Sequence, residues 1–203
     1  MADTKEKKPF YKKWWVWVIA LVILGGIGSQ QDGTSPEEKA KLAKDPVIIN
    51  RPDQQKNFVI ITQEAQQKAK DATNDMQRGG FLNDRGNEIC KTLNTNTVKN
   101  WTGWVHNVDS NSDGDGVFSI KLARNIFVET WNNALSDIGS NTLIKPGTKL
   151  FKSAASFKKG DRVKFSGSFI KDDKHCINEQ SLGLQGKIEE PEFTFKFSSL
   201  EPM

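Results

Sequence analysis

The chain has 203 residues, of which 36% are hydrophobic and 27% charged, with two Cys and seven Pro. That length suits one ordinary domain with appendages, and the composition excludes a collagen, a disulfide-dense miniprotein, a polytopic membrane protein and wholesale disorder. The formal net charge of +4 is concentrated in residues 1–13, where Lys5, Lys7, Lys8, Lys12 and Lys13 stand against only Asp3 and Glu6, and residues 57–203 are close to neutral.

After this basic tail, Trp14–Gly28 reads WWVWVIALVILGGIG, without a charge. As a helix it extends about 22 Å, short of a hydrocarbon core about 30 Å thick. Phe10, Tyr11, Trp14, Trp15 and Trp17 form an aromatic belt at headgroup level, and Lys12 and Lys13 snorkel to water, which lengthens the span. The lysines predict a single-pass anchor in cytoplasmic-membrane lipid, with the N-terminus inside and the body periplasmic. The rival is a cleaved signal peptide ending at Gly26-Ile27-Gly28; three tryptophans in the run and Gly in place of Ala favour the uncleaved anchor.

Residues 29–56 are polar and balanced in charge, as in a spacer that holds a body off the membrane. Ser35-Pro36-Glu37-Glu38 can start a short exposed helix, which Pro46 and Pro52 limit. A helix is predicted from Asp53, as N-cap, to Arg78, with a stripe of Phe58, Ile61, Ala65, Ala69, Ala72 and Met76. Gly79-Gly80 is expected to break it, and a short helix over 84–93 then carries Cys90. Residues 57–97 form this helical segment.

From Val98 the pattern turns to strands. Val98–Asp109 is β-prone, Phe118, Ile120 and Leu122 alternate with polar residues, and Asn125–Trp131 reads as a third strand. A long Asn/Ser/Gly connection over 132–149 precedes a short helix at 150–157. Val163, Phe165 and Phe169 share one face of a fourth strand, and Phe193, Phe195 and Phe197 alternate with Thr194, Lys196 and Ser198 in a fifth.

Five strands with a helix between the third and fourth is the order of an OB-fold, a small Greek-key barrel. The fold class is therefore mainly β within α+β, with an OB-like barrel over 98–203. The strand Gly103–Val108 and the run FKKGDRVKFSGSF (Phe157–Phe169) resemble the OB-like domains of small exported bacterial proteins, and Lys8–Trp15 is similar to the anchors of many small bacterial membrane proteins. The resemblance implies a barrel in a secreted or anchored setting, and it brings no catalytic residues.

The two cysteines, Cys90 and Cys176, are widely separated. In an oxidising compartment they read as one disulfide, worth about 4–5 kcal/mol on the chain-entropy account; two unrelated buried thiols are the alternative. A metal site at His175-Cys176 lacks a second Cys/His pair. Asp109, Asn111 and Asp113, with Gly114, imitate the first half of a calcium loop, but Ile120 stands where the bidentate Glu is needed, and an Asx-rich hairpin accounts for the same residues. Trp101 and Trp104 are three apart, point to opposite faces of a strand and make no single stacking platform for bases. The near-neutral body also offers little attraction for phosphate, so nucleic acid is not the expected partner.

His106 and His175 are the only histidines, and neither a nucleophile-elbow nor a zinc-helix motif occurs. Glu189-Glu190 and Asp172-Asp173 read as solvated loop acids, and Asn100-Trp101-Thr102 is a formal glycosylation sequon. No enzymatic activity and no cofactor are expected. The reading is a periplasmic binding module for an envelope protein or small ligand, with Asn132, Asn133, Asp137 and Asn141 on the long connection as the candidate contact loop. Alternatives are a phage-exclusion or toxin-immunity factor at the envelope, permitted by size and topology, and an OB-type nucleic-acid binder if the body faces the cytoplasm.

Overall fold

A computed structural model describes residues 35–203. The anchor residues Lys12, Lys13, Trp14, Trp15 and Trp17 lie outside that range. Among the described residues no helix is long and apolar enough to cross a membrane. The described residues divide into two units, one ending at Ile49 and one over Asn50–Met203. In the first, α1 (Pro36–Ala43) precedes α2 (Pro46–Ile49), where the Val47 N–H donates to the Asp45 carboxylate at 2.9 Å. The predicted spacer thus contains two short helices.

The second unit begins with α3 (Asp53–Lys70) and α4 (Asp75–Leu93). The helical break falls at 71–74, not at Gly79-Gly80. Asn74 caps α4, its side-chain oxygen accepting from Gln77 N–H at 3.0 Å, while the Gln77 side chain accepts from Thr73 N–H at 2.8 Å. This reciprocal cap satisfies orphan donors at the helix start. It offsets part of the propensity cost of the two glycines, about 1 kcal/mol each, which sit inside α4. Met76 consequently lies on the outward side of α4, 90% exposed, and leaves the predicted stripe. Gln55 and Thr62 are buried in its place on α3.

The strands are β1 (Thr97–Ser110), β2 (Gly116–Ala123), β3 (Ile126–Glu129), β4 (Arg162–Phe169), a hairpin of β5 (Lys171–Asp172) and β6 (Cys176–Ile177), and β7 (Glu192–Pro202). Helix α5 (Lys149–Ala155) precedes β4, and α6 (Gly183–Glu189) precedes β7. The barrel closes in the order β1-β2-β3-β7-β4, with β4 returning to β1. All pairs are antiparallel except β3–β7. The fold is α+β around a closed five-stranded barrel.

Closure of so small a barrel needs sharply bent strands. Register shifts at Val98/Trp101 and Val105/Asn107 let the one long strand β1 serve two neighbours. Gly167 and Gly103 sit where backbones converge: a Cβ at Gly167 would run into the Phe195 ring and the Lys196 carbonyl, and one at Gly103 into Ile120 and Lys121. The interior is largely aromatic. Phe165 meets Phe195 edge to face at 5.6 Å, and Phe118 meets Phe197 at 5.5 Å.

Phe58 of α3, fully buried, packs on Trp101 at 5.2 Å, Phe169 at 5.3 Å and Phe193 at 5.0 Å, so this helix plugs the end where β4 finishes and β7 begins. Helix α5 is tied to the far part of β7 by Ser153, whose hydroxyl donates to the Leu200 carbonyl at 2.6 Å. The helical segment is therefore part of the barrel's own compact unit.

Candidate functional site

The alternation that buries Phe118, Ile120 and Leu122 in β2 turns Ser119 and Lys121 outward, and Ile126 and Val128 in β3 do the same for Phe127 and Glu129. Pairing then sets these residues side by side. Ser119 stands opposite Glu129, Lys121 opposite both Trp104 and Phe127, Phe127 opposite Glu192, and Glu129 opposite Thr194. His106, at the β1 bulge, lies against the Phe127 ring at 4.6 Å. The guanidinium of Arg51 sits 5.9 Å over Trp104 and donates to the Leu122 carbonyl.

The electrostatics of this outer face are unusual for a barrel exterior. Burial, and then the neighbouring Glu192 carboxylate, push Glu129 up to about 7, against a small opposing effect of the Ser119 hydroxyl. Burial, followed by Glu190, also raises Glu192. Burial lowers His106, reinforced by Lys159 and Lys121 and opposed by Glu190. Ser119 is 4% exposed, and its hydroxyl lies against the Glu129 carboxyl and favours its ionised form. Gln180 crosses to the end of β3, its amide donating to the Thr130 carbonyl at 3.0 Å. This pins the β6–α6 connection beside Glu129.

A second polar cluster lies under the β5–β6 hairpin. Arg85 on α4 and Glu179 pair at 2.5 Å with side chains 1% and 3% exposed, and Arg85 also donates to the Lys187 carbonyl at 2.6 Å. Its guanidinium lies 5.4 Å from the Phe193 ring centre. Burial lowers Arg85 and raises Glu179, each opposed by the other's charge. Cys90 and Cys176 are disulfide-bonded across a sequence separation of 86, with Cα atoms 5.6 Å apart, which fastens α4 to the same hairpin. We read this cluster as a clasp: it holds the excursion over 170–191, between β4 and β7, which has no long strand of its own.

The other candidates read from the sequence fall elsewhere in the unit. Asp109 accepts from Ser110 N–H at 2.8 Å, and Asn111 accepts from Asp113 N–H at 3.0 Å and Asp115 N–H at 2.9 Å, so these oxygens are used in forming the hairpin turn. Among the described residues no group of three or more His, Cys, Asp or Glu converges as a metal site. The long connection is not structureless. Asn133 bonds Asn132 at 2.7 Å and accepts from Ser136 N–H at 2.8 Å. Buried Asp137 accepts from Thr142 N–H at 2.7 Å and Leu143 N–H at 3.1 Å, and Asn141 takes a positive φ of 52°. The polar side chains expected to meet a partner largely hold the loop together, while Leu135 and Ile138 are its exposed apolar residues, at 80% and 75%.

Sequence reasoning missed Glu129, Glu192 and Ser119. A usable signal was present: Glu129 is the one charge in the apolar run Ile126–Thr130. Comparison with family models, curated proteins and solved structures finds no match for this chain.

Proposed function

We propose that this chain is a non-enzymatic binding module: an OB-like barrel, carried on an N-terminal membrane anchor in the periplasm, that receives its ligand on the outer face of β1, β2 and β3. The strand order, with a parallel closing pair and a helix between the third and fourth barrel strands, supports the OB-like assignment. The lysines before the apolar run support the anchor's orientation, and a disulfide persists in an oxidising compartment.

The observation that carries the binding reading is Glu129. A carboxyl half-buried beside a second carboxyl costs folding free energy, and a purely structural surface gains nothing from it. Surfaces of this kind are found where a ligand supplies the missing partner. Carboxylates on the face also disfavour phosphate, which sets the nucleic-acid alternative behind this one.

The test is a photo-crosslinking amino acid at Lys121, on the face, and at Lys196, on the β4–β7 side, in intact cells. A defined adduct at 121 and none at 196 is expected. Equal labelling at both, or none at 121, refutes the assignment of the face.

A further inference from the structure

We propose that the Cys90–Cys176 disulfide is an exchange site for a dithiol reductant, which opens it through Cys90 and releases the β5–β6 hairpin as a small flap. This role goes beyond the ligand face and does not depend on it. The two cysteines differ in access. Cys90 lies exposed on α4, whereas Cys176 is part-buried and packs against the core. An incoming thiolate therefore reaches Cys90 first. Cys176 also takes a φ of 73°, in the left-handed region that a residue with a Cβ rarely occupies. The neighbouring His175 has its Nδ1 closed to solvent and without a hydrogen-bond partner among the described residues, where such atoms are nearly always satisfied. Both costs fall on the returning leg of the hairpin while it is held against α4, and both are relieved when it lifts.

The rest of the excursion keeps its own fastenings. Ile170 N–H donates to the Thr194 carbonyl at 3.1 Å, Asn178 N–H to the Ile170 carbonyl at 2.8 Å, and Thr194 N–H to the Asn178 carbonyl at 2.9 Å. Arg85 holds Glu179, and Ile177 is buried. Opening the disulfide thus frees residues 171–176 and leaves both ends of the hairpin on β7. The hairpin lies close on α4 at Gly86, where a Cβ would stand 3.0 Å from the His175 carbonyl oxygen. In the exchange, one thiolate of the dithiol attacks the Cys90 sulfur, the S–S bond breaks, and Cys176 leaves as a thiolate. Asp172 and three cations, Lys187, Lys174 and Arg85, all act on the adjoining His175, and this excess of positive charge favours the leaving thiolate. The second thiolate of the dithiol then attacks its own sulfur in the mixed disulfide and releases Cys90. Two electrons pass to the protein, the dithiol becomes a disulfide, and its two protons pass to Cys90 and Cys176.

The experiment treats the folded full chain with dithiothreitol at several concentrations, quenches in acid and counts alkylated cysteines by mass. Opening should be first order in dithiothreitol, at a rate within about ten-fold of that for the urea-unfolded chain. Glutathione, a monothiol, should be trapped on Cys90 and not on Cys176 when the quenched chain is mapped by peptide. Gly86→Ala should speed opening several-fold as its methyl presses on the His175 carbonyl, while Gly80→Ala, in open space on the same helix, should not. Hydrogen exchange of the reduced chain should rise over 171–176 with β7 still protected. The double variant Cys90→Ser, Cys176→Ser, which needs no reductant, should show the same pattern. A rate independent of dithiothreitol concentration marks a bond that opens only through global unfolding and overturns the proposal. So do a glutathione adduct on Cys176, equal rates for the two glycine variants, unchanged exchange over 171–176, or protection lost across β7 as well.

Discussion

Replacing Arg85 with Met tests the clasp most directly. The native guanidinium contacts Glu179 at 2.5 Å and the Lys187 carbonyl at 2.6 Å, with both ionic side chains almost fully enclosed. Met fills much of the aliphatic volume but leaves the Glu179 carboxyl buried without a counter-charge. Removing one partner of a buried pair costs about 3–5 kcal/mol, a large part of the about 5–15 kcal/mol that holds a domain folded. Burial already raises Glu179 in the folded state above its unfolded value, with Arg85 opposing the rise. Without Arg85 the folded carboxyl holds its proton more tightly. The variant's deficit is therefore smallest in acid, where Glu179 is protonated with or without Arg85, and it grows as pH rises through the range where the folded carboxyl ionises beside Arg85 but not without it. The assay is urea unfolding at a series of pH values under non-reducing conditions, since urea leaves ion pairs unscreened. The double variant Arg85→Met, Glu179→Leu should recover most of the loss, because a well-packed apolar replacement of a buried pair is often neutral or better. A cost below about 1 kcal/mol, a pH-independent deficit, or a double variant no more stable than the single would refute the reasoning.

Breaking the disulfide with Cys90→Ser should cost about 4–5 kcal/mol by loss of the loop constraint, read as a lowered urea midpoint, and unfolded native protein should bind maleimide only after reduction; free thiol without reductant would contradict the bond. Two glycines should respond with opposite sign. Gly80→Ala, in open space within α4, should stabilise by about 0.5–1 kcal/mol, whereas Gly103→Ala should destabilise by about 1–3 kcal/mol as its methyl meets Ile120 and the Lys121 carbonyl; similar melting shifts for both would be the failure. Glu129 should make stability fall as pH rises from about 4.5 to about 7, since its folded value lies above its ordinary one, and Glu129→Gln should flatten that slope in a thermal-melt series. Alkaline phosphatase fused after Met203 should be active if the body is exported, and an inactive fusion refutes that orientation.

Much of the barrel was legible because its signal is local. Phe193, Phe195 and Phe197 alternate with polar neighbours, as do Phe118, Ile120 and Leu122, and one buried face with period two is enough to mark a strand. The spacing of Trp101 and Trp104 placed them on opposite faces, and Trp101 is fully buried while Trp104 is part-exposed. With only two cysteines in the chain, the disulfide had a single possible pairing.

Local pattern misjudged the helices, where a cap made by two side chains at Asn74 and Gln77 sets the start of α4 ahead of the glycine pair. It also passed over the β5–β6 hairpin, whose short strands hold their place through Arg85, Cys90 and the end of α4, all far earlier in the chain. The outer face followed the same rule. Burial within the closed barrel unit raises the proton affinity of Glu129 most, and Glu192 adds to it from a strand brought alongside by parallel closure of the barrel. Periodicity along the chain selects which side chains turn inward, because that choice depends on each residue and its neighbours. Which outward side chains become half-buried, paired or repelled depends on strands far apart in sequence, and only the closed barrel brings those together.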